Sequence, residues 1–445
     1  MADPAGKRVH ITTFGCQMNE YDSARMLAML NGQGWREADG VEDADLILIN
    51  TCSVRELAEH KVHSLVGSLR ELKAQRPGLM IAVGGCVAQQ EGQRLLKKNP
   101  HLDLVFGTGV IERLPELVAQ AAQGRRTALT ELQTAPFAAP AAPIVLAAKP
   151  GLKAMVTVMR GCDNFCSYCV VPYVRGREAS RPAAEVVDEV AALAAAGVRE
   201  VTLLGQNVNS YRDPEGGLGF AGLLGRVAEV ADIWRVRFTT SHPKDLSPEL
   251  IQAIAGIDKV MEQLHLPAQS GSDRVLKAMH RGYTRAQYLE RVAELRALAP
   301  DIALGGDIIV GFPGETEAEF AESLELLDQA QYDFLYSFKY SDRPFTKAGR
   351  MAGKLPAAVK AQRLERLQDR QKQISLALHR AQVGKLEEVL VEGPAKKGAG
   401  MLTGRSRAGR AVNFPGSPEL TGSLVRVRIS EGLVNSLRGR LEPPA

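Results

Sequence analysis

Residues 160–177 read RGCDNFCSYCVVPYVRGR, and this stretch places three thiols, Cys162, Cys166 and Cys169, on one short loop. Their spacing, C-x3-C-x2-C, lets the sulfurs turn inward from a tight loop and hold a compact inorganic core. Soft thiolates select iron–sulfur clusters, zinc or copper over hard cations. A cluster of four irons has four corners, so three cysteines leave one iron open. The stretch therefore predicts an iron–sulfur site with an iron available for a reaction.

Closely spaced cysteines can also form a disulfide, bind zinc or remain ordinary buried thiols. A closed zinc site needs four ligands, and neither a histidine nor a fourth cysteine lies near this loop. Asp163 or a distant histidine is an available fourth ligand. The spacing alone leaves these alternatives open.

The remaining cysteines, Cys16, Cys52 and Cys86, each follow an apolar run that is typical of a buried parallel strand. The runs are VHITTFG at 9–15, ADLILIN at 44–50 and LMIAVGG at 79–85. Ligand sites in open α/β sheets form beyond the carboxyl ends of the strands. We therefore expect a second three-thiolate site there, although cysteine is also a common core residue.

The whole chain reads as an α/β protein in three parts. Residues 7–124 alternate strands with helical patterns such as 55–73, which indicates an open α/β domain with a parallel sheet. Residues 125–150 are rich in proline and alanine and indicate a linker.

Residues 151–382 resume the βα alternation and predict a partial (β/α)6 barrel, open on one side, with a C-terminal strap helix at 356–382. We expect its strands near 154–159, 200–205, 236–240, 262–266, 305–311 and 334–340. The loop of Cys162 follows the first strand. Active-site groups of such barrels lie at the carboxyl ends of the strands, so the loop is suitably placed.

Residues 383–445 contain short alternating runs separated by glycines, which predict a small antiparallel β-barrel. The net charge of +4 is unevenly distributed, because residues 356–445 carry +8 and residues 1–355 about −4. A basic C-terminal end favours nucleic-acid binding, and a solvated surface is the alternative. The arginines expected to face RNA phosphates are Arg405, Arg407, Arg410, Arg426 and Arg428.

Membrane insertion is not indicated. Apolar runs such as 46–49 and 308–310 are far too short to span a bilayer, and the N-terminus has no apolar signal core. We therefore expect a cytoplasmic protein.

Together these motifs resemble the methylthiotransferase family of radical S-adenosylmethionine (SAM) enzymes over nearly the whole chain. The matching segments are ITTFGCQMNEYDSARM, NTCSVRELAEHKV, AVGGCVAQ, MRGCDNFCSYCVVPYVRGRE, EVTLLGQNVNSY, RFTTSHPKDLS, LHLPAQSGS and GGDIIVGFPGETE. FGCQMN and CDNFCSYCVVPY distinguish the chain from sister branches that modify a ribosomal-protein aspartate or a threonylcarbamoyl adenosine.

The resemblance implies two [4Fe-4S] clusters and SAM as cofactors. An auxiliary cluster would be held by Cys16, Cys52 and Cys86, and the radical SAM cluster by Cys162, Cys166 and Cys169. It further implies a C-terminal RNA-binding TRAM domain. The SAM contacts that it implies are Tyr168, Gly205, Gln206, Asn207, Ile309 and Gly311.

The implied reaction adds a methylthio group to C2 of N6-isopentenyladenosine at tRNA position 37, next to the anticodon. The adenine C–H bond is not acidic, so a radical generated from SAM would break it, and the auxiliary cluster would carry the sulfur. The implied partners are the tRNA, an electron donor such as a flavodoxin or ferredoxin, and sulfur or cluster supply proteins; a monomer is expected. The alternatives are another acceptor and a zinc-stabilised RNA-binding protein without catalysis.

One segment departs from the family pattern SxRPGTPA. Here residues 341–348 read SDRPFTKA, so Phe345 and Lys347 replace a glycine and a proline. Phe345 lacks the freedom of glycine at positive φ. No substrate contact is assigned to this turn.

Overall fold

The N-terminal sheet is parallel, six-stranded and flanked by helices on both faces. The computed structural model describes residues 6–53, 56–132 and 151–443. The strands are β1 Arg8–Thr13, β2 Arg36–Glu37, β3 Leu46–Thr51, β4 Met80–Gly85, β5 Leu104–Phe106 and β6 Thr127–Leu129. The helices are α1 Gln17–Asn31, α2 Glu56–Gln75, α3 Cys86–Glu91, α4 Gln93–Lys98 and α5 Leu114–Ala122.

The sheet order is β2-β1-β3-β4-β5-β6, and every neighbouring pair is parallel. Each residue of β3 and β4 is buried, because helices cover both faces of these central strands. The predicted open α/β domain is confirmed. Sequence patterns missed β2 and β6, since edge strands of two and three residues have too few positions to show a periodicity.

The predicted linker begins too early. Residues 127–129 form β6 and pair with β5, so the sheet extends past the predicted end of the domain at residue 124. The other part of the predicted linker, residues 133–150, lies outside the described residues.

The middle of the chain forms the predicted partial barrel. Its strands are β7 Lys153–Thr157, β8 Met159–Arg160, β9 Ala179–Ser180, β10 Glu200–Leu204, β11 Arg235–Phe238, β12 Gln263–His265, β13 Ala303–Val310 and β14 Phe334–Lys339. Its helices are α6 Val171–Arg175, α7 Ala183–Ala195, α8 Phe220–Ala228, α9 Pro248–Gly256, α10 Asp273–Ala278, α11 Arg285–Leu298, α12 Glu317–Ala330 and α13 Ala357–Arg380.

Six of these strands run parallel in succession. They form two three-stranded sheets, β7-β10-β11 and β12-β13-β14, which a bridge between Val236 and Val260 connects. The short strands β8 and β9 pair antiparallel beside the cysteine loop. Helix α13 is the predicted strap and buries Leu367 and Ile374 in the barrel core.

The C-terminal domain is a closed five-stranded barrel of order β15-β16-β17-β19-β18. The strands are β15 Leu386–Pro394, β16 Met401–Ser406, β17 Ala411–Pro415, β18 Leu424–Gly432 and β19 Leu437–Leu441. The predicted small antiparallel β-barrel is confirmed, with one exception in its pairing: β17 and β19 are parallel. With an odd number of strands, directions cannot alternate all the way around a closed barrel, so one pair must be parallel.

Ion pairs fasten the C-terminal barrel to the middle domain. Arg410 donates two hydrogen bonds to Asp333, at 2.6 and 3.0 Å, and both side chains are buried. Arg407 pairs with Glu262 at 2.9 Å. The buried guanidinium of Arg235 donates to the backbone carbonyl of Arg405 at 2.7 Å. The two domains therefore meet through charged contacts, of which the Arg410–Asp333 pair is desolvated.

Within the described ranges, no helix combines the length and the apolarity that crossing a membrane requires.

The substitution Arg410→Ala is expected to lower the free energy of unfolding by about 3 kcal/mol or more, because the Asp333 carboxylate would stay buried without its cation. Urea denaturation followed by circular dichroism measures the change. Arg428→Ala is the matched control: its pair with Glu442 is exposed and screened by water, so a much smaller loss of stability is expected. Equal losses in the two variants would contradict a stabilising role for the buried pair.

Candidate functional site

All six cysteines line one cavity of about 1270 Å³. The cavity lies where the carboxyl ends of β1, β3 and β4 face the cysteine loop of the partial barrel. The sequence predicted two three-cysteine sites, and the structure shows that both open on the same space. All six cysteines belong to the described residues, and none forms a disulfide.

The first set of thiols sits on three neighbouring strand ends. Cys52 and Cys86 directly follow β3 and β4, and Cys16 begins the turn into α1. Gly15 has a φ of 140°, and a Cβ there would lie 2.5 Å from the Cβ of Cys52. Only glycine lets these two loops approach so closely, so the backbone is shaped to bring the thiols together.

Buried amides hold these loops in place. Asn19 donates from Nδ2 to Asn50 Oδ1 at 3.1 Å and to the carbonyl of Thr51 at 3.0 Å. Asn50 returns a hydrogen bond to the carbonyl of Asn19 at 2.8 Å. Sequence reasoning missed both residues. The available signal was an amide within three residues of a strand-end cysteine, in FGCQMN and INTC.

Arg175 connects the two sets of cysteines. It ends helix α6, just after the cysteine loop, and pairs with Asp22 of α1 at 2.8 Å, where the two side chains are 8% and 7% exposed. Burial alone would lower the pKa of Arg175, but the Asp22 carboxylate, then Cys86 and Cys16, raise it, so the residue stays charged. A buried cation therefore lies against the first set of thiols.

The first thiols have unequal acidities. A hydrogen bond with Cys52 lowers the pKa of Cys16 to about 6, with desolvation opposing the shift and the charge of Arg175 favouring it. Burial raises the pKa of Cys86. Cys16 is the exposed member of the set, whereas Cys52 and Cys86 are buried.

The second set of thiols lies on the loop after β8. Gly161 precedes it with a φ of 76°, and a Cβ there would lie 2.0 Å from the carbonyl oxygen of Arg177. Burial raises the pKa of Cys162 to about 11 and that of Cys169 to about 12. The buried side chain of Arg281 donates from Nη1 to Sγ of Cys166 at 3.4 Å. Arg281 was also missed, since its place in the sequence gives no sign of this contact.

The donor set fits clusters with thiolate ligands. Soft sulfur ligands in two groups of three, each beside a buried arginine, suit iron–sulfur centres that keep one iron open. Among the described residues, no three His, Cys, Asp or Glu side chains lie close enough together to bind one metal ion. The thiols surround the shared cavity instead of meeting at one point.

Polar groups for a small ligand lie beside the second set. Gln206, Ser241 and His242 line the cavity, and each has a buried polar atom without a hydrogen-bond partner in the described part of the chain. Burial lowers the pKa of His242 to about 2, so its imidazole is neutral. Unsatisfied buried groups are costly, and a ligand with amino, carboxylate or hydroxyl groups would satisfy them. The residues therefore fit SAM.

The predicted SAM contacts divide into two groups. Tyr168, Gly205, Gln206 and Ile309 line the cavity. Asn207 and Gly311 are not among the described residues that line it. Asn207 donates to Asp245 at 2.8 Å, and the backbone N–H of Gly311 donates to Glu315 at 2.7 Å. Direct contact with SAM stays a prediction for each of these residues.

The five arginines do not form the predicted single basic face, because acidic partners divide them. Arg407 and Arg410 pair with Glu262 and Asp333 of the middle domain, and Arg428 pairs with Glu442. Of the five arginines, Arg405 and Arg410 line the cavity, and Arg426 is exposed on β18. The sequence could not show this division, since the partners of Arg407 and Arg410 come from another domain.

Three protein families match successive parts of the chain. Residues 8–107 match the Uncharacterized protein family UPF0004, residues 156–327 the Radical SAM superfamily, and residues 380–441 the TRAM domain. The three matches follow the order of the sheet domain, the partial barrel and the C-terminal barrel.

Solved structures support the fold. A radical SAM methyltransferase, TsrM, from Kitasatospora setae is similar with a TM-score of 0.58 and 16% identity, over 77% of this chain and 74% of that chain. The cobalamin-dependent radical enzyme OxsB is similar with a TM-score of 0.53 and 12% identity, over 83% of this chain and 62% of that chain. At such identities the likeness concerns the fold alone.

Curated relatives are similar over almost the entire chain. The tRNA-2-methylthio-N6-dimethylallyladenosine synthases of Geobacter metallireducens and Trichlorobacter lovleyi are 51% and 50% identical to it, with 98% of this chain aligned in each case and 98% and 99% of theirs. The relative from Syntrophobacter fumaroxidans is 48% identical, over 98% of this chain and 96% of its own. The chain therefore belongs to the tRNA-2-methylthio-N6-dimethylallyladenosine synthase family of radical SAM methylthiotransferases.

Proposed function

We propose that this protein is a tRNA methylthiotransferase that adds a methylthio group to C2 of N6-isopentenyladenosine at position 37, next to the anticodon. The observation that carries the proposal is the arrangement of six thiols in two sets of three around one cavity. A transfer of sulfur to an unactivated carbon needs both a radical source and a sulfur carrier near the same base. The names of relatives that are about half identical to this chain support the same reaction.

Two [4Fe-4S] clusters and SAM are the cofactors that the site accommodates. Cys162, Cys166 and Cys169 would hold the radical SAM cluster, and Cys16, Cys52 and Cys86 the auxiliary one. When bound, these groups supply the single electron, the radical and the methylated sulfur that the reaction needs.

The protein's own residues supply charge balance and position. The three thiolate ligands of each cluster would carry negative charge, which burial makes costly. Arg281 lies against one set and Arg175 against the other, so a buried guanidinium offsets part of this charge at each site. Gln206, Ser241 and His242 offer hydrogen bonds to the polar end of SAM, and Ile309 offers an apolar wall to its adenosine.

A tRNA is the macromolecular partner of this reaction. The target adenosine lies in an unpaired loop, so the base can enter the cavity without the opening of a duplex. Arg426, exposed on β18, is available for phosphate contacts, and so is the half-exposed Arg405 at the cavity, whose pair with Glu392 is long at 3.7 Å. We further propose a monomer acting in the cytoplasm, with a flavodoxin or ferredoxin as reductant and with proteins that supply sulfur or clusters.

Separate loss of each thiol set tests the division of roles. Cys162→Ala should abolish both 5′-deoxyadenosine and the methylthio nucleoside, because the radical source is lost. Cys52→Ala should retain 5′-deoxyadenosine formation and lose only the methylthio nucleoside. Both products are measured by mass spectrometry after anaerobic incubation of reconstituted protein with SAM, a strong reductant and tRNA bearing isopentenyladenosine.

Iron analysis is the control for these variants. The unaltered protein should bind about eight irons, and each variant about four. Equal loss of both products in the two variants, each retaining one cluster, would contradict separate roles. Stoichiometric zinc without visible absorbance would instead support a non-catalytic RNA-binding protein.

Thiol reactivity in the metal-free protein should depend on pH in an ordered way. Cys16 is protonated below its pKa of about 6 and becomes a reactive thiolate above it, so its alkylation rate should rise through pH 6. Cys162 and Cys169, with pKa values of about 11 and 12, should react slowly until strongly alkaline pH. Peptide mapping after iodoacetamide pulses gives each rate. Midpoints near 8.5 for all three, as expected in denaturant, would contradict these environments.

A further inference from the structure

Three exposed aromatic rings lie together at the rim of the cavity. Phe165, Tyr173 and Phe345, which we call the aromatic platform, are 41%, 39% and 54% exposed. The ring centres of Phe165 and Tyr173 are 6.4 Å apart, and those of Tyr173 and Phe345 are 6.1 Å apart. Phe165 lies between Asn164 and Cys166, which both line the cavity. The platform therefore lies beside the cavity.

Two of these rings are presented by an unfavourable backbone. Phe165 has a φ of 45° and Phe345 a φ of 67°, in the left-handed region that glycine adopts freely and residues with a Cβ avoid. Such conformations persist only where the surroundings impose them, and they concentrate at functional sites. Phe345 thus adopts a positive φ that would suit glycine, and unlike glycine it presents an exposed ring at this position.

The turn that bears Phe345 is held rigidly. Arg343 pairs with Glu59 of α2 at 2.8 Å, with the two side chains 9% and 19% exposed. Thr346 donates from its hydroxyl to the carbonyl of Arg343 at 2.8 Å. The N–H of Ala348 donates to the carbonyl of Ser167, inside the cysteine loop, at 2.8 Å. The platform is therefore positioned before any partner arrives.

A cation accompanies the rings. The guanidinium of Arg177 lies 5.7 Å from the ring centre of Phe165, and its side chain is 75% exposed while it pairs with Asp163. Aromatic faces beside exposed arginine are typical of surfaces that bind single-stranded nucleic acid, where bases stack on the rings and phosphates meet the charge.

We propose that the aromatic platform stacks against the unpaired base next to the target adenosine in the tRNA loop. This inference rests on the proposed function and names the part of the substrate that the rim of the same site contacts. When the target base turns into the cavity, its neighbours lose a stacking partner. Rings fixed at the rim replace that partner, and because every base has a π face, the contact favours unpaired RNA without selecting a base.

The test uses the reconstituted protein and an anticodon stem-loop RNA that carries N6-isopentenyladenosine. Phe345→Gly should weaken RNA binding about tenfold in fluorescence anisotropy, in the range for one base stacked on an aromatic ring. Thermal unfolding should show unchanged or improved stability, because glycine suits the positive φ. Leu298→Ala, which removes another exposed apolar side chain outside the platform, is the matched control and should bind normally.

Stem-loops with an abasic nucleotide on the 5′ or on the 3′ side of the target identify the stacked base. One of them should bind the unaltered protein about tenfold more weakly, and its affinity should not fall further with Phe345→Gly, since both changes remove the same contact.

Independent, additive losses of affinity would contradict stacking on the platform, as would normal RNA affinity in Phe345→Gly. A loss of stability with normal affinity would show that the rings pack against the protein's own chain instead of binding RNA. Failure of the unaltered protein to bind or modify the RNA would instead overturn the proposed function, and the platform with it.

Discussion

The buried ion pair between Arg175 and Asp22 is the contact on which the site depends. Arg175 belongs to the segment that follows the cysteine loop, and Asp22 belongs to the helix that follows Cys16, so this buried pair joins the two groups of thiols, together with the pair of Arg343 and Glu59. Removing one partner of such a pair leaves a desolvated charge, at a cost of about 3 to 5 kcal/mol. The same guanidinium lies beside the thiols of Cys86 and Cys16. Arg175 therefore both connects the two domains and places a positive charge next to the first set of thiols.

This constraint explains how two α/β domains produce one reaction space. Each domain places its ligands at the carboxyl ends of parallel strands, where such sheets leave a crevice. When the two sets of strand ends face each other, a radical source and a sulfur carrier can act on one base held between them. The C-terminal barrel is fastened separately through Arg410 and Arg407, so most of its charged contacts serve the assembly of the domains. We therefore propose that the aromatic platform contributes to the recognition of RNA near the target base.

Local patterns predicted much of this arrangement. The buried strands β3 and β4, and the cysteines that follow them, were recognisable because a continuous apolar run that ends in a polar loop is typical of a buried parallel strand. The shared cavity was not predictable, since it depends on Arg175 contacting Asp22, 153 residues earlier in the chain. The same limit applies to the ion pairs of Arg407 and Arg410 and to the contact of Arg281 with Cys166.

Two backbone features were also not predictable. The parallel pairing of β17 and β19 follows from closure with five strands, which is a property of the whole barrel. The positive φ of Phe345 runs against the local preference of phenylalanine, so sequence could indicate only that the turn was unusual.

The most direct test of the shared reaction space is anomalous diffraction at the iron edge from crystals of the reconstituted protein. We predict two separate iron clusters, one on Cys16, Cys52 and Cys86 and the other on Cys162, Cys166 and Cys169, each with an open iron directed into the same cavity. Iron at only one set, or two clusters that open on different surfaces, would contradict a shared reaction space.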